Sequence, residues 1–141
     1  MDETIRQLRD ELTAAYSAFL AVAGQLPAEK RMEPGVCGEW TPKQVMDHLI
    51  GWDTSLKSLI VETDAFVPPE DVDQFNADSI AVRKQATWSR SASEIRSNFQ
   101  ELSQLLPTVQ AEMPIYRHVV RWLPGRIADY QMHTSQLAAW L

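Results

Sequence analysis

The chain has 141 residues, enough for one sizeable hydrophobic core and too few for two. Thirteen Lys and Arg against 19 Asp and Glu leave a formal net charge of −6, which argues against a nucleic-acid binder and against adsorption to an anionic membrane. The 45% hydrophobic content excludes intrinsic disorder, and a single cysteine, Cys37, excludes an internal disulfide and any multi-cysteine zinc site, pointing to a reducing cytoplasm.

The acidic start Met1-Asp2-Glu3-Thr4 lacks the positive charge of a secretory leader. The longest apolar run, Ala18 to Ala23, is far shorter than the roughly 20 residues that span a bilayer. A single domain over residues 1–141 is expected, with no membrane partner. Within residues 2–24, Ile5, Leu8, Leu12, Tyr16, Phe19 and Ala23 recur at helical spacing, which predicts one buried helix face ending near Gly24. Two prolines and two glycines make 27–39 a connection. Thr41-Pro42-Lys43-Gln44 then carries a helix start, with Thr41 as N-cap, Pro42 in the first turn and Gln44 closing a capping box. Val45, His48, Leu49, Trp52, Leu56 and Leu59 share one face of that helix, which should fade near Asp64.

A third helical region is predicted from about Val72 to Leu106, interrupted around 88–91, with Ser91 or Ser93 capping the restart. Residues 107–123 are not resolved by pattern. The last helix is expected to begin near Pro124-Gly125 and to run to Leu141. No strand alternation, repeat or low-complexity tract occurs, so the fold class is all-α, with four long amphipathic helices around one core.

The chain has no Gly-rich phosphate loop, no Gly-x-Ser-x-Gly and no His-Glu-x-x-His. Cys37 sits between flexible residues with no motif around it and reads as an incidental small loop residue, reactive only if a base approaches. His48, alone, reads as a core histidine satisfied by a neighbour. Asp129 and His133 stand four apart, so both emerge on one side of a helix and can grip one cation. His48 from a facing helix would complete a two-histidine, one-carboxylate set with positions left open. The competing reading is a local hydrogen bond on a solvated polar line. A third makes His48 and His133 a metal-free proton-transfer pair. His118 is expected on a loop or the surface. Asp47 and Asp53 read either as groups orienting a ligand from behind or as solvent-facing residues. Trp40, Trp52 and Trp140 read as core packing or as pocket walls.

The run Gly38-Glu39-Trp40-Thr41-Pro42-Lys43-Gln44-Val45-Met46-Asp47-His48-Leu49-Ile50-Gly51-Trp52-Asp53 resembles the hallmark of the DinB/YfiT-like superfamily. Val72-Asp73-Gln74-Phe75-Asn76-Ala77 and Asp129-Tyr130-Gln131-Met132-His133-Thr134-Ser135-Gln136-Leu137 are similar to its middle stretch and last helix, in the same order. The resemblance implies a four-helix bundle with up-down-down-up connectivity, a homodimer, and a divalent metal held by a histidine triad. By position, His48 and His133 match two ligands, while Asp129 stands where the commonest pattern has histidine. An aspartate still ligates zinc, nickel, manganese or iron and favours harder ions. Relatives of this kind include transferases and isomerases using low-molecular-weight thiols such as mycothiol or bacillithiol, and hydrolytic resistance proteins that open electrophiles. The implied activity is that of a metal-dependent transferase or hydrolase acting on a small electrophile. The alternative is a non-catalytic, small-molecule-binding or dimerising bundle with a degraded metal site.

Overall fold

Asp2 accepts a hydrogen bond from the Ile5 amide at 3.0 Å and so caps α1, Glu3–Gln25, in the computed structural model, which describes residues 1–141. Gly24 does not end this helix; the chain leaves helical geometry at Leu26, ahead of Pro27, which is the stronger breaker. The connection turns back through Gly35 and Gly38, whose φ of 111° and 57° lie in the region that favours glycine. This places Trp40 immediately before α2, Pro42–Glu62.

The α2 start is as the sequence predicts. The Thr41 hydroxyl accepts from the Gln44 amide and the Gln44 side chain accepts from the Thr41 amide, both at 3.0 Å. Residues 45–50 of α2 are all buried, so this helix is enclosed on every side in its early turns. It packs against α3, Val72–Val82, α4, Trp88–Leu105, and α5, Tyr116–Ala138, while α1 packs mainly on α5.

The third region breaks at residues 83–87 and restarts with Thr87 as N-cap, not Ser91 or Ser93. The reason is chemical. Ser91 is fully buried and its hydroxyl donates to Asp47 at 2.7 Å, so it is committed to a carboxylate one helix away. The last helix begins eight residues before Pro124 and carries that proline in its interior. Pro124 has no N–H to give the Val120 carbonyl, a local cost that the burial of Val119, Leu123 and Ile127 outweighs. His118 is accordingly on a helix, not a loop, and it is exposed as expected.

Helix directions follow from the contacts between ends. Tyr116 at the start of α5 donates to Asp2 at the start of α1, and Lys30 after α1 donates to the Trp140 carbonyl after α5, so these two run the same way. Asp47 meets Ser91 and Lys57 meets Asn98, so α2 and α4 also run together. Early α2 meets late α5, so that pair is antiparallel. The shared interior includes Phe19, Leu49, Leu56, Ile95, Leu102 and Leu123. The fold is all-α: four helices of 18–23 residues and one of 11. No helix is long and apolar enough to cross a membrane.

Candidate metal centre

Antiparallel packing of α2 and α5 brings His48, Asp129 and His133 together, with candidate ligand atoms within 4.8 Å of one another. The His48 and His133 rings lie 5.2 Å apart, centroid to centroid, and meet edge to face at 81°. Both imidazoles are buried and Asp129 is 17% exposed, so the carboxylate is the edge of the cluster that reaches solvent. Trp40, delivered by the turn before α2, lies 5.0 Å from the His48 ring and walls the site.

Hydrogen bonding fixes which nitrogens point inward. His48 Nδ1 lies 2.9 Å from Asn76 Oδ1, and the Trp52 indole donates to the same oxygen at 2.7 Å. An indole N–H can only donate, so the Asn76 atom facing both rings is its oxygen, and His48 Nδ1 must carry a proton. His48 Nε2 faces Asp129, 3.0 Å from Oδ2: a ring carrying both protons donates there, and in a ring carrying only the Nδ1 proton the Nε2 lone pair is what an ion would take. His133 Nδ1 lies 2.7 Å from Gln136 Oε1, a bond that holds the ring in place without a donor-only partner to set its tautomer. Its Nε2 is buried and lies 3.1 Å from Asp129 Oδ1, yet outside hydrogen-bonding geometry, and it has no other partner. A buried nitrogen left unpaired costs about 1–3 kcal/mol.

Asp129 divides its oxygens. Arg126 donates to Oδ2 at 2.7 Å, and His48 Nε2 is 3.0 Å from that oxygen. Oδ1, which Arg126 leaves free, is 3.3 Å from His48 Nε2 and 3.1 Å from His133 Nε2. Donors at about 2.0–2.2 Å from one ion sit roughly 2.8–3.6 Å apart at octahedral or tetrahedral angles. Each imidazole nitrogen stands at such a separation from Asp129 Oδ1, and the three candidate ligand atoms lie within 4.8 Å of one another, a donor set suited to a divalent transition metal with further positions open.

Behind Asp129 lies a buried chain of hydrogen-bonded partners. Arg126 Nε donates to Asp53 Oδ1 at 2.9 Å, and the Tyr130 hydroxyl donates to Asp53 Oδ2. Asp53 is fully buried, which corrects its solvent-facing alternative, and it is linked to Asp129 through Arg126. Asp47 is also buried, but its partners are Lys43 at 2.5 Å and Ser91, so it ties α2 to α4 and does not touch the cluster. Burial pushes the Asp47 carboxyl up, against the pull of Lys43 and Ser91. For Asp129 the balance is reversed: burial would raise it, but the contacts with His133 and His48 and the Arg126 charge hold it far below the carboxylate range. For the Arg126 guanidinium, burial opposes the charge, while Asp53, Tyr130 and Asp129 more than restore it. Two carboxylates and one guanidinium leave the assembly one negative charge beside two imidazoles.

Cys37 is half-buried on its turn and His118 lies two turns or more from the cluster along α5, so neither joins it. His118 and Arg121 instead edge a cavity of about 500 Å³ between the far ends of α2 and α5. Trp122, which lines that cavity, lies 6.2 Å from Trp52, which shares the Asn76 oxygen with His48. Sequence reasoning gave no role to Asn76, Gln136 or Arg126. Arg126 and Gln136 stand three residues from Asp129 and His133, a spacing that signals helical neighbours. Asn76 had no such signal, because it arrives on a different helix. Comparison with protein-family models, with curated proteins and with solved structures finds no match to this chain.

Proposed function

We propose that this chain binds one divalent metal ion through His48, Asp129 and His133, and that it acts on a small electrophile as a thiol-dependent transferase or metal-dependent hydrolase. The observation that carries the metal reading is His133 Nε2, a buried nitrogen 3.1 Å from Asp129 Oδ1 that makes no hydrogen bond of good geometry. A proton shared between His48 and Asp129 would satisfy those two groups, but it would leave His133 as it is. The net negative charge of the Asp53–Arg126–Asp129 set also favours a cation there. Zinc, nickel, manganese and iron all suit two imidazoles and a carboxylate.

When bound, such an ion lowers the pKa of a thiol or water at an open position, which makes a nucleophile near neutral pH. The chain's own residues do the rest. Asn76 and Gln136 hold the two imidazoles with Nε2 inward, Arg126 holds Asp129 by one oxygen and leaves the other free, and Trp40 shields one side. The reading agrees with the DinB/YfiT-like resemblance. On it, α1, α2, α4 and α5 are the four helices of an up-down-down-up bundle, as the end-to-end contacts support, with α3 a short insertion. The homodimer of that family is part of the same proposal, and sedimentation velocity tests it.

Titration of the Co²⁺-loaded chain with a small thiol tests the open position. A shift of the visible spectrum supports the thiol-dependent reading, and a spectrum indifferent to thiol removes it and leaves the hydrolase and the non-catalytic alternative. One observation speaks for that alternative: the nearby carboxylates are already engaged, Asp53 by Arg126 and Tyr130 and Asp129 by Arg126, so no free general base stands beside the cluster.

A further inference from the structure

We infer that Asn76 is a positioning residue that keeps His48 in its metal-ready tautomer, and that docking of α3 is thereby linked to metal binding. The inference rests on the metal reading above and adds to it a second element of the fold whose seating the ion would control.

The helix that carries Asn76 is thinly held. Ser79 is the one fully buried residue of α3, and the others are half-buried or exposed. Its middle is fastened to α2 by three contacts. The Asn76 oxygen accepts from His48 and Trp52, the Phe75 ring lies 4.3 Å from Trp52, and Ser79 sits against Gly51. Past its end, the Arg83 carbonyl accepts from Lys43 at 2.9 Å, and the Arg83 side chain pairs with Glu94. A helix with so little buried surface opens locally at low cost, unlike the enclosed turns of α2.

The polar fastener is also the orienting bond of a ligand. While Asn76 accepts from Nδ1, the favoured tautomer of the singly protonated ring is the one whose Nε2 lone pair an ion can take. Remove that acceptor, or lift α3, and the imidazole can move its proton to Nε2 and donate to Asp129. The site would then satisfy itself with its own hydrogen bond and compete with metal. Because binding and docking share one bond, each must favour the other by the same factor. An ion at the cluster should hold α3 down.

The test uses the full chain with Zn²⁺ and with Mn²⁺ as probes. Affinity is measured by competition with a chromophoric chelator, and α3 amide exchange by mass spectrometry with and without metal. Wild-type α3 should exchange more slowly when metal is added. Asn76→Leu should weaken binding about 10- to 100-fold, the range found for outer partners of metal-bound histidine. Asn76→Asp, which keeps an acceptor, should bind at least as tightly as wild type. Trp52→Phe removes the other donor to Asn76 and should stay within about threefold of wild type. Trp52→Phe loosens the same fastener without touching the His48 bond, so a merely structural role for Asn76 would weaken metal binding in that variant as much as in Asn76→Leu. Asn76→Leu binding as wild type does, or α3 exchange in the wild type that ignores bound metal, overturns the inference and leaves the metal reading standing. A wild type that binds neither ion overturns both, and the wild-type exchange measurement needs no variant to fold.

Discussion

Replacing Gly51 by alanine opposes two effects whose sum can be worked from the structure. In a helix interior alanine is favoured over glycine by about 0.5–1 kcal/mol. At Gly51, however, a Cβ would lie 2.2 Å from Ser79 Oγ and 2.6 Å from Ser79 Cβ. Rotating the serine relieves the first contact but not the second, since Cβ does not move with χ1. The backbones of α2 and α3 must therefore separate, and overpacking of this kind costs about 1–3 kcal/mol. The net effect is between roughly no change and a loss of about 2.5 kcal/mol. Gly125 in α5 is the internal control, because a Cβ there meets nothing within 4 Å. Gly125→Ala should gain the helix term alone. At roughly 3 °C per kcal/mol for a chain of this length, Gly51→Ala should melt about 3–9 °C below Gly125→Ala. The assay is thermal unfolding followed by circular dichroism, with amide exchange to locate the loss in α3. Gly51→Ala melting at or above Gly125→Ala would refute the close approach of α3 to α2.

Three further outcomes follow from groups already described. Arg126→Met strands the buried Asp53 carboxylate and should cost about 3–5 kcal/mol, a fall of roughly 10 °C or more in melting temperature, partly recovered by adding Asp53→Leu. Thr41→Ala removes the capping box of α2 and should cost about 1 kcal/mol, read as a shift in the urea midpoint at unchanged slope. The Asp2 carboxyl is held below its ordinary value, first by the Ile5 amide and also by Tyr116, so its contribution is present above that ordinary value and is lost as pH falls through the folded one. Asp2→Asn keeps a capping side chain without the titration, so its acid-unfolding curve should be flatter than that of wild type below about pH 4.

What could be read from the sequence was what is decided within one or two turns. The Thr41 box needs only the four residues that form it. Asp129 and His133 share a side of α5 because they are four apart, whatever the rest of the chain does. The start of α5 was hidden because Pro124 and Gly125 are local breakers, whereas the forces that override them are the distant partners of Val119 and Leu123. Ser91 was an equally good cap by type, and only the arrival of Asp47 from α2 takes its hydroxyl away. Asp53 and Asp47 look like surface carboxylates until Arg126, Tyr130 and Lys43 are placed beside them. Asn76 is the plainest case. Its importance lies in a bond between helices 28 residues apart in sequence, and no periodicity encodes that.

The central claim is that three side chains from α2 and α5 hold one cation, and equilibrium dialysis against Zn²⁺ or Mn²⁺ followed by elemental analysis measures it most directly. The account predicts about one ion retained per chain by the wild type, and loss of retention in a folded His133→Ala variant. A wild-type chain that emerges from dialysis with neither ion, or a His133→Ala chain that retains it undiminished, would contradict the account.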